Sequence, residues 1–224
     1  MRSRRSRRFL RRSRRFPRRS SPPSRLALES KHRQISFDNG RMATALEPEV
    51  RKFTIAEYYR LAEAGVLAPS ERVELLNGRI IRMAPIGPRH ATIVDKLTGL
   101  FVLAEKGRYR TGPGRPVRIT DLNEPQPDLV LYKRKIEDRH PGPEDIYLIV
   151  EVADTTLDYD SGEKLSAYEK GGIKEYWIID AAGKAAHLYH LRARAHKYTR
   201  ETRTHGVIAP RAFSDAAVDL SDLF

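Results

Sequence analysis

The stretch that most confines the fold is YLIVEVA, residues 147–153. In a strand, alternation puts Leu148, Val150 and Val152 on one face and Ile149, Glu151 and Ala153 on the other. Both faces are aliphatic apart from one glutamate, so the run reads as a buried strand that carries Glu151 inside with it. A buried carboxylate costs several kcal/mol unless a cation or hydrogen bonds compensate it. Lys164 is the cation the pattern offers. It falls in the first turn of the helix expected at about 161–170, where the macrodipole disfavours positive charge by roughly 0.3–1 kcal/mol. The intervening loop DTTLDYDSG has about the length needed to bring that helix start back over the strand's end.

The elements around this strand follow from periodicity and punctuation. TIAEYYRLAEAG (54–65) reads as a helix with Thr54 and Glu57 as a capping box and Gly65 as its stop. RVELLNGRIIRMAP predicts two short strands about Asn77-Gly78, the strongest short-range hairpin signal. RHATIVDKLTGLFVLAEKG predicts a helix with Ile93, Leu97, Leu100 and Leu103 or Ala104 on one face, closed by Gly107. RYRTGPGRPVRI predicts a strand, a turn and a second strand, and QPDLVLYK a further strand. SGEKLSAYEKGG predicts a helix with Asp160 and Glu163 as its capping pair and Gly171-Gly172 as its stop. EYWIID, AAHLYHLR and AHKYTR finish the sheet, and VIAPRAFSDAAVDLSDLF reads as a covering segment. Helices interleaved with a mostly antiparallel sheet make an α/β (α+β) fold in one domain.

Charge matters here through its distribution. The 224 residues carry a formal net charge of +13. Residues 1–41 hold 14 Arg and one Lys against Glu29 and Asp38, a surplus of 13, so residues 42–224 balance 27 basic against 27 acidic side chains. The Arg/Ser/Pro-rich segment 1–41 has too few apolar residues to fold alone. Met42 is the expected start of the folded part, with 1–41 translated from upstream DNA. A disordered nucleic-acid-binding arm and a targeting presequence are the alternatives. The absence of cysteine removes disulfides and thiolate metal sites and fits a reducing cytosol, hence a cytoplasmic expectation. No window approaches the roughly 18 apolar residues of a membrane span.

A second carboxylate stands near the first. In QPDLVLY, Pro127 pins the backbone before Asp128, and alternation places Asp128, Val130 and Tyr132 on one face, Leu129 and Leu131 on the other. Neighbouring strands with one carboxylate each can bring Asp128 and Glu151 within a few ångströms. Such a pair demands a proton or a divalent cation, and oxygen-only ligands favour Mg²⁺ or Mn²⁺ over zinc. A bound ion, two carboxylates and an ammonium are the parts needed to cleave a phosphodiester.

Taken together, E-L-x-x-G at Glu74, His90, P-D at Asp128, E-V at Glu151, D-x-x-x-K-x-x-x-Y-x-x-x-G from Asp160 and E-Y-W at Glu175 resemble the Uma-two family of restriction-endonuclease-like proteins. That family belongs to the PD-(D/E)xK nuclease superfamily, and the resemblance covers roughly residues 52–190. It implies a restriction-endonuclease-like fold, a mixed central β-sheet flanked by helices, and Mg²⁺-dependent hydrolysis of DNA. It makes Asp128 and Glu151 the metal-holding carboxylates, the Val152 backbone carbonyl a third ligand, and Glu74 an additional metal or water ligand. The superfamily lysine two residues after the second carboxylate is absent here, where Ala153 stands; the family moves it to the following helix, which matches Lys164. Dimers are common among double-strand cutters, and a homodimer is expected here only by that analogy.

Each residue also has a plainer reading. Asp128 could mark a strand start, Glu151 a core salt bridge, Lys164 a solvated helix face and Glu74 a surface strand position. His90, just before a helix, fits a cap or orienting group better than a ligand. Asp160 is chiefly an N-cap by spacing and could orient Lys164. Tyr168 lies one turn beyond Lys164 and Trp177 within EYWIID, both at core positions. Two other functions stay open: a catalytically idle nuclease fold that binds nucleic acid or a protein, and a small-molecule or phosphosugar hydrolase.

Overall fold

The structure, a computed structural model, describes residues 50–224. The readings of residues 1–41, and the boundary before Met42, lie outside the described residues.

Helix α1 (Ile55–Glu63) begins at Thr54, whose hydroxyl accepts from the Glu57 N–H while the Glu57 carboxylate accepts from the Thr54 N–H, the expected capping box. Strands β1 (Val73–Leu76) and β2 (Arg79–Arg82) form the expected hairpin, with Asn77 at φ 52° and Gly78 at φ 74°. Glycine is required at 78 on a second count: a Cβ there would stand 2.5 Å from the Lys52 Cβ. The hairpin is tied down by the 122–124 segment, where the Gly78 N–H donates to the Leu122 carbonyl and the Glu124 N–H to that of Leu75.

Helix α2 (Pro88–Ala104) starts with proline in its first turn, where a missing N–H costs nothing. Its buried stripe is Ile93, Leu97 and Phe101, and Leu103 is 82% exposed. The stripe steps by four from Ile93 to Leu97 and Phe101, and Leu100 and Ala104 flank it half-buried, while Leu103 falls outside it.

Next come β3 (Arg110–Pro113), β4 (Leu129–Tyr132) and β5 (Ile146–Ala153). A helical turn α3 (Leu157–Tyr159), a π-helical turn (Asp160–Lys164) and α4 (Leu165–Lys170) lead to β6 (Glu175–Asp180), β7 (Ala185–Arg192) and β8 (Lys197–Arg203). These six strands form one sheet in chain order from β3 to β8, with β5 and β6 parallel and every other pair antiparallel. The fold is therefore the expected mixed sheet with helices. The second strand anticipated within RYRTGPGRPVRI does not form. Pro116 has no N–H to give a ladder, and beyond it Val117 and Ile119 donate instead to the carbonyls of Pro125 and Asn123.

Both faces of β5 are covered, as its composition requires. On one face Leu148, Val150 and Val152 pack with Trp177 and with Ile93, Leu97 and Phe101 of α2. The C-terminal segment, β9 (Val207–Ile208), β10 (Val218–Asp219) and α5 (Leu220–Leu223), closes this layer with Ile208, Phe213, Val218, Leu220 and Leu223. Buried Glu175 fixes that cover by accepting from the Trp177 indole N–H and the Arg211 backbone N–H, each at 2.9 Å. On the other face Ile149 and Ala153 pack with Tyr168, Tyr176 and Ile178.

The helix after β5 differs from the reading at its start. It begins at Leu157, and Asp160 lies within it at φ −68°, ψ −38° rather than at its N-cap. Lys164 consequently sits well inside the helical segment, free of the end-of-helix dipole cost. The Gly171-Gly172 stop is as expected, with Gly172 at φ 79°. Among the described residues no helix is long and apolar enough to cross a membrane.

Candidate active site

Glu151 projects from near the C-terminal end of β5 with only 3% of its surface exposed, so its partners decide whether the strand can tolerate it. Its Oε1 accepts from the Lys164 ammonium at 2.9 Å and from the Tyr168 hydroxyl at 2.9 Å. Lys164 is itself 4% exposed and also stands 3.4 Å from Glu74 Oε2. The cation demanded by the buried glutamate is thus Lys164, shared between two carboxylates.

Asp128 arrives from the start of β4. Its Oδ2 accepts the Val152 N–H at 2.8 Å, and its own N–H lies 3.4 Å from Glu151 Oε2. These two contacts lock the carboxylate-bearing ends of β4 and β5 together. His90, in the first turn of α2, brings Nε2 within 3.0 Å of Asp128 Oδ2. Glu74, from β1, accepts the Tyr159 hydroxyl at 3.0 Å and the Gln126 N–H at 2.9 Å. Asp160 accepts the Thr156 hydroxyl at 2.6 Å.

All the predicted side chains, Glu74, His90, Asp128, Glu151, Asp160 and Lys164, line one cleft of about 480 Å³, and Val152 lines it too. Six carboxylates line the cleft, Asp154 and Asp158 joining Glu74, Asp128, Glu151 and Asp160, against Lys164, Arg72, Arg82 and the His90 imidazole. Burial pushes Glu151 well above the usual carboxylate range, against the pull of Lys164. Burial likewise raises Asp160 to about 6, with Asp128 and Glu74 adding to the shift and Lys164 opposing it. Burial works against the charge of Lys164, but Glu151, Glu74 and Asp160 together overcome it and hold the ammonium protonated. The Asp128 hydrogen bond raises His90 despite partial burial. Negative charge is in excess.

Among the described residues no group of three or more His, Cys, Asp or Glu side chains is arranged to hold a metal ion. The donor set still fits a hard cation. Mg²⁺ is commonly held by one or two carboxylates with waters completing the shell, and Asp128 and Glu151 supply two. Both oxygens of Glu74 are already engaged by Tyr159, Gln126 and Lys164.

Two side chains were missed as site members by the sequence reading. The Tyr168 ring is in the core, as its position suggested, but its hydroxyl reaches Glu151. Tyr159 holds Glu74, and its ring lies 5.6 Å from the Lys164 ammonium. Tyr159 precedes Lys164 by five residues, a spacing that meets in a π turn and not in an α-helix, so no helical pattern could have found it.

The result is an α/β protein whose mixed sheet brings acidic groups together at the adjoining ends of β4 and β5, with a lysine delivered by the next helix. The crystal structure of "a putative nuclease belonging to DUF820" from Anabaena variabilis has this fold: it superposes with a TM-score of 0.61 at 14% identity, over 77% of this chain and 97% of that one. The chain belongs to the Uma2 family, described as "Putative restriction endonuclease", whose model matches residues 55–221. No curated protein matches it.

Proposed function

We propose that the chain is a metal-dependent endodeoxyribonuclease, hydrolysing DNA phosphodiester bonds with Mg²⁺ or Mn²⁺. The observation that carries this reading is the convergence of Asp128, Glu151 and Lys164, drawn from β4, β5 and the helix beyond, on one cleft. Asp128, Glu151 and the Val152 carbonyl would hold the ion, which supplies Lewis acidity at the phosphate. Lys164 steadies the attacking water and the charge growing on the phosphate oxygens. Glu74 is assigned to holding Lys164 in place with Tyr159, and Tyr168 to orienting Glu151. His90 fixes the rotamer of Asp128.

Nicking of supercoiled plasmid by the full chain tests the reading. Cleavage that needs Mg²⁺ or Mn²⁺ and is lost in both Asp128→Ala and Glu151→Ala is the expected result. A second reading, a catalytically idle module that binds nucleic acid or a protein, is favoured by one observation: Lys164 already neutralises Glu151. No nicking with any divalent ion, and nucleic-acid binding unchanged by either substitution, would establish that reading instead.

A further inference from the structure

One wall of the cleft has no part in that chemistry. Ile81, Met83, Pro85 and Ile86, from β2 and the segment leading to α2, line it, with Ile81 directly across the hairpin from Glu74. Ile86 is 55% exposed, an apolar side chain held in water beside a strongly acidic centre. The wall is built rather than loose: the Met83 N–H donates to the Arg72 carbonyl at 2.9 Å, and the Arg72 guanidinium donates to the Ala84 carbonyl at 3.0 Å. Beyond it Arg72 also lines the cleft, as does Arg82, whose side chain is 78% exposed and, among the described residues, paired only with Glu71.

A duplex offers an enzyme its sugar-phosphate rails and keeps its base faces stacked inside, so an apolar wall next to the reacting phosphate contributes nothing to holding it. An unpaired base presents an apolar face that such a wall can cover, whatever the sequence. The cleft of about 480 Å³ is within the range of roughly 300–1,000 Å³ typical of small-ligand sites, room enough for one unpaired nucleotide.

From these observations we propose that the substrate is DNA unpaired at the point of cleavage, with one base lying on the Ile81–Met83–Pro85–Ile86 wall and the neighbouring phosphates reached by Arg72 and Arg82. The inference rests on the hydrolase reading and narrows it to single-stranded or locally opened DNA.

The test compares end-labelled oligonucleotides of one sequence as a single strand, a blunt duplex and a duplex with one unpaired base. The full chain is used with Mn²⁺, in excess over substrate, so that single-turnover rates are read. The single strand and the bulged duplex are expected to be cut at least about tenfold faster than the blunt duplex, the advantage of one covered base. Cleavage of the bulged duplex should map beside the unpaired base. Ile86→Asp, at an exposed position and checked for folding by circular dichroism, should shrink that ratio. Equal or faster cutting of the blunt duplex overturns the proposal, and so does a ratio that Ile86→Asp leaves unchanged. If plasmid is nicked in an Asp128-dependent way while the ratio is absent, only this inference falls. If nothing is cut at all, the hydrolase reading falls with it.

Discussion

Lys164 serves Glu151 at 2.9 Å and Glu74 at 3.4 Å, and all three side chains are buried. Removing one partner of a buried ion pair usually costs about 3–5 kcal/mol, because the other is left uncompensated. Lys164→Met should therefore lower the urea midpoint sharply at pH 8. A lysine whose folded pKa is raised contributes its full stability below its unfolded value of 10.5, so Lys164 itself is charged at both pH 8 and pH 5. In the variant Glu151 can take up a proton as pH falls, so the loss should be smaller at pH 5. Asp160 gives the opposite sign. Its pKa rises from 3.8 to about 6 on folding, so the folded state binds the proton more tightly and stability declines as pH climbs through that window. Asp160→Asn should then be more stable than the wild type above pH 6, by on the order of 3 kcal/mol at about 1.4 kcal/mol per unit. The gap should close towards pH 4; a gap independent of pH would contradict the assignment. In the sequence Glu151 was legible as a buried charge, because it interrupts an otherwise apolar strand. Tyr159 was not, because nothing in its neighbourhood marks a hydroxyl directed at Glu74.

The helical segment after β5 shows how a local signal can be genuine and still be overruled. Asp160, Ser161, Gly162 and Glu163 have the spacing of a capping box, yet the chain is already helical from Leu157. The Leu165 N–H donates to the Asp160 carbonyl, five residues back, and this wide turn carries Asp160 and Lys164 into the cleft together. Buried contacts to Thr156, Glu151 and Glu74 make that register worth more than a cap at Asp160. Gly162 is exposed in this turn with open space where a Cβ would go, so Gly162→Ala should stabilise by about 0.5–1 kcal/mol in urea melts while nicking persists. Gly171→Ala should do the reverse, because its Cβ would come within 2.0 Å of the Ile119 side chain. A loss above about 1 kcal/mol is expected, and equal stabilities for the two variants would refute the packing argument. Strand reading failed at residues 116–119 for a related reason: apolar alternation was present, but Pro116 denied the segment a ladder and the 123–125 turn captured its donors.

At the scale of the molecule, the proposed ion site at Asp128 and Glu151 would couple binding to folding. An ion that binds only the folded state stabilises it by about 2.7 kcal/mol at a hundred times its Kd, and a chain of this size gains roughly 2–4 °C in Tm per kcal/mol. Saturating Mn²⁺ should raise the Tm by about 5–10 °C by this arithmetic, and Asp128→Asn should abolish the rise. A rise that survives the substitution would move the ion away from β4.

The sequence by itself determined the elements and the charges that had to be resolved within them: the hairpin at Asn77-Gly78, the doubly apolar β5, the glutamate inside it and the basic surplus confined to residues 1–41. These are short-range facts, settled by φ/ψ preference, side-chain period and composition. Only the tertiary structure decided which groups meet. Glu74 bonds to the Gln126 N–H and the Tyr159 hydroxyl, 52 and 85 positions away. Glu151 faces Asp128 across the β4–β5 pairing, and the apolar wall lines the same cleft. No periodicity encodes such contacts, because they follow from how the strands order and where the chain crosses over.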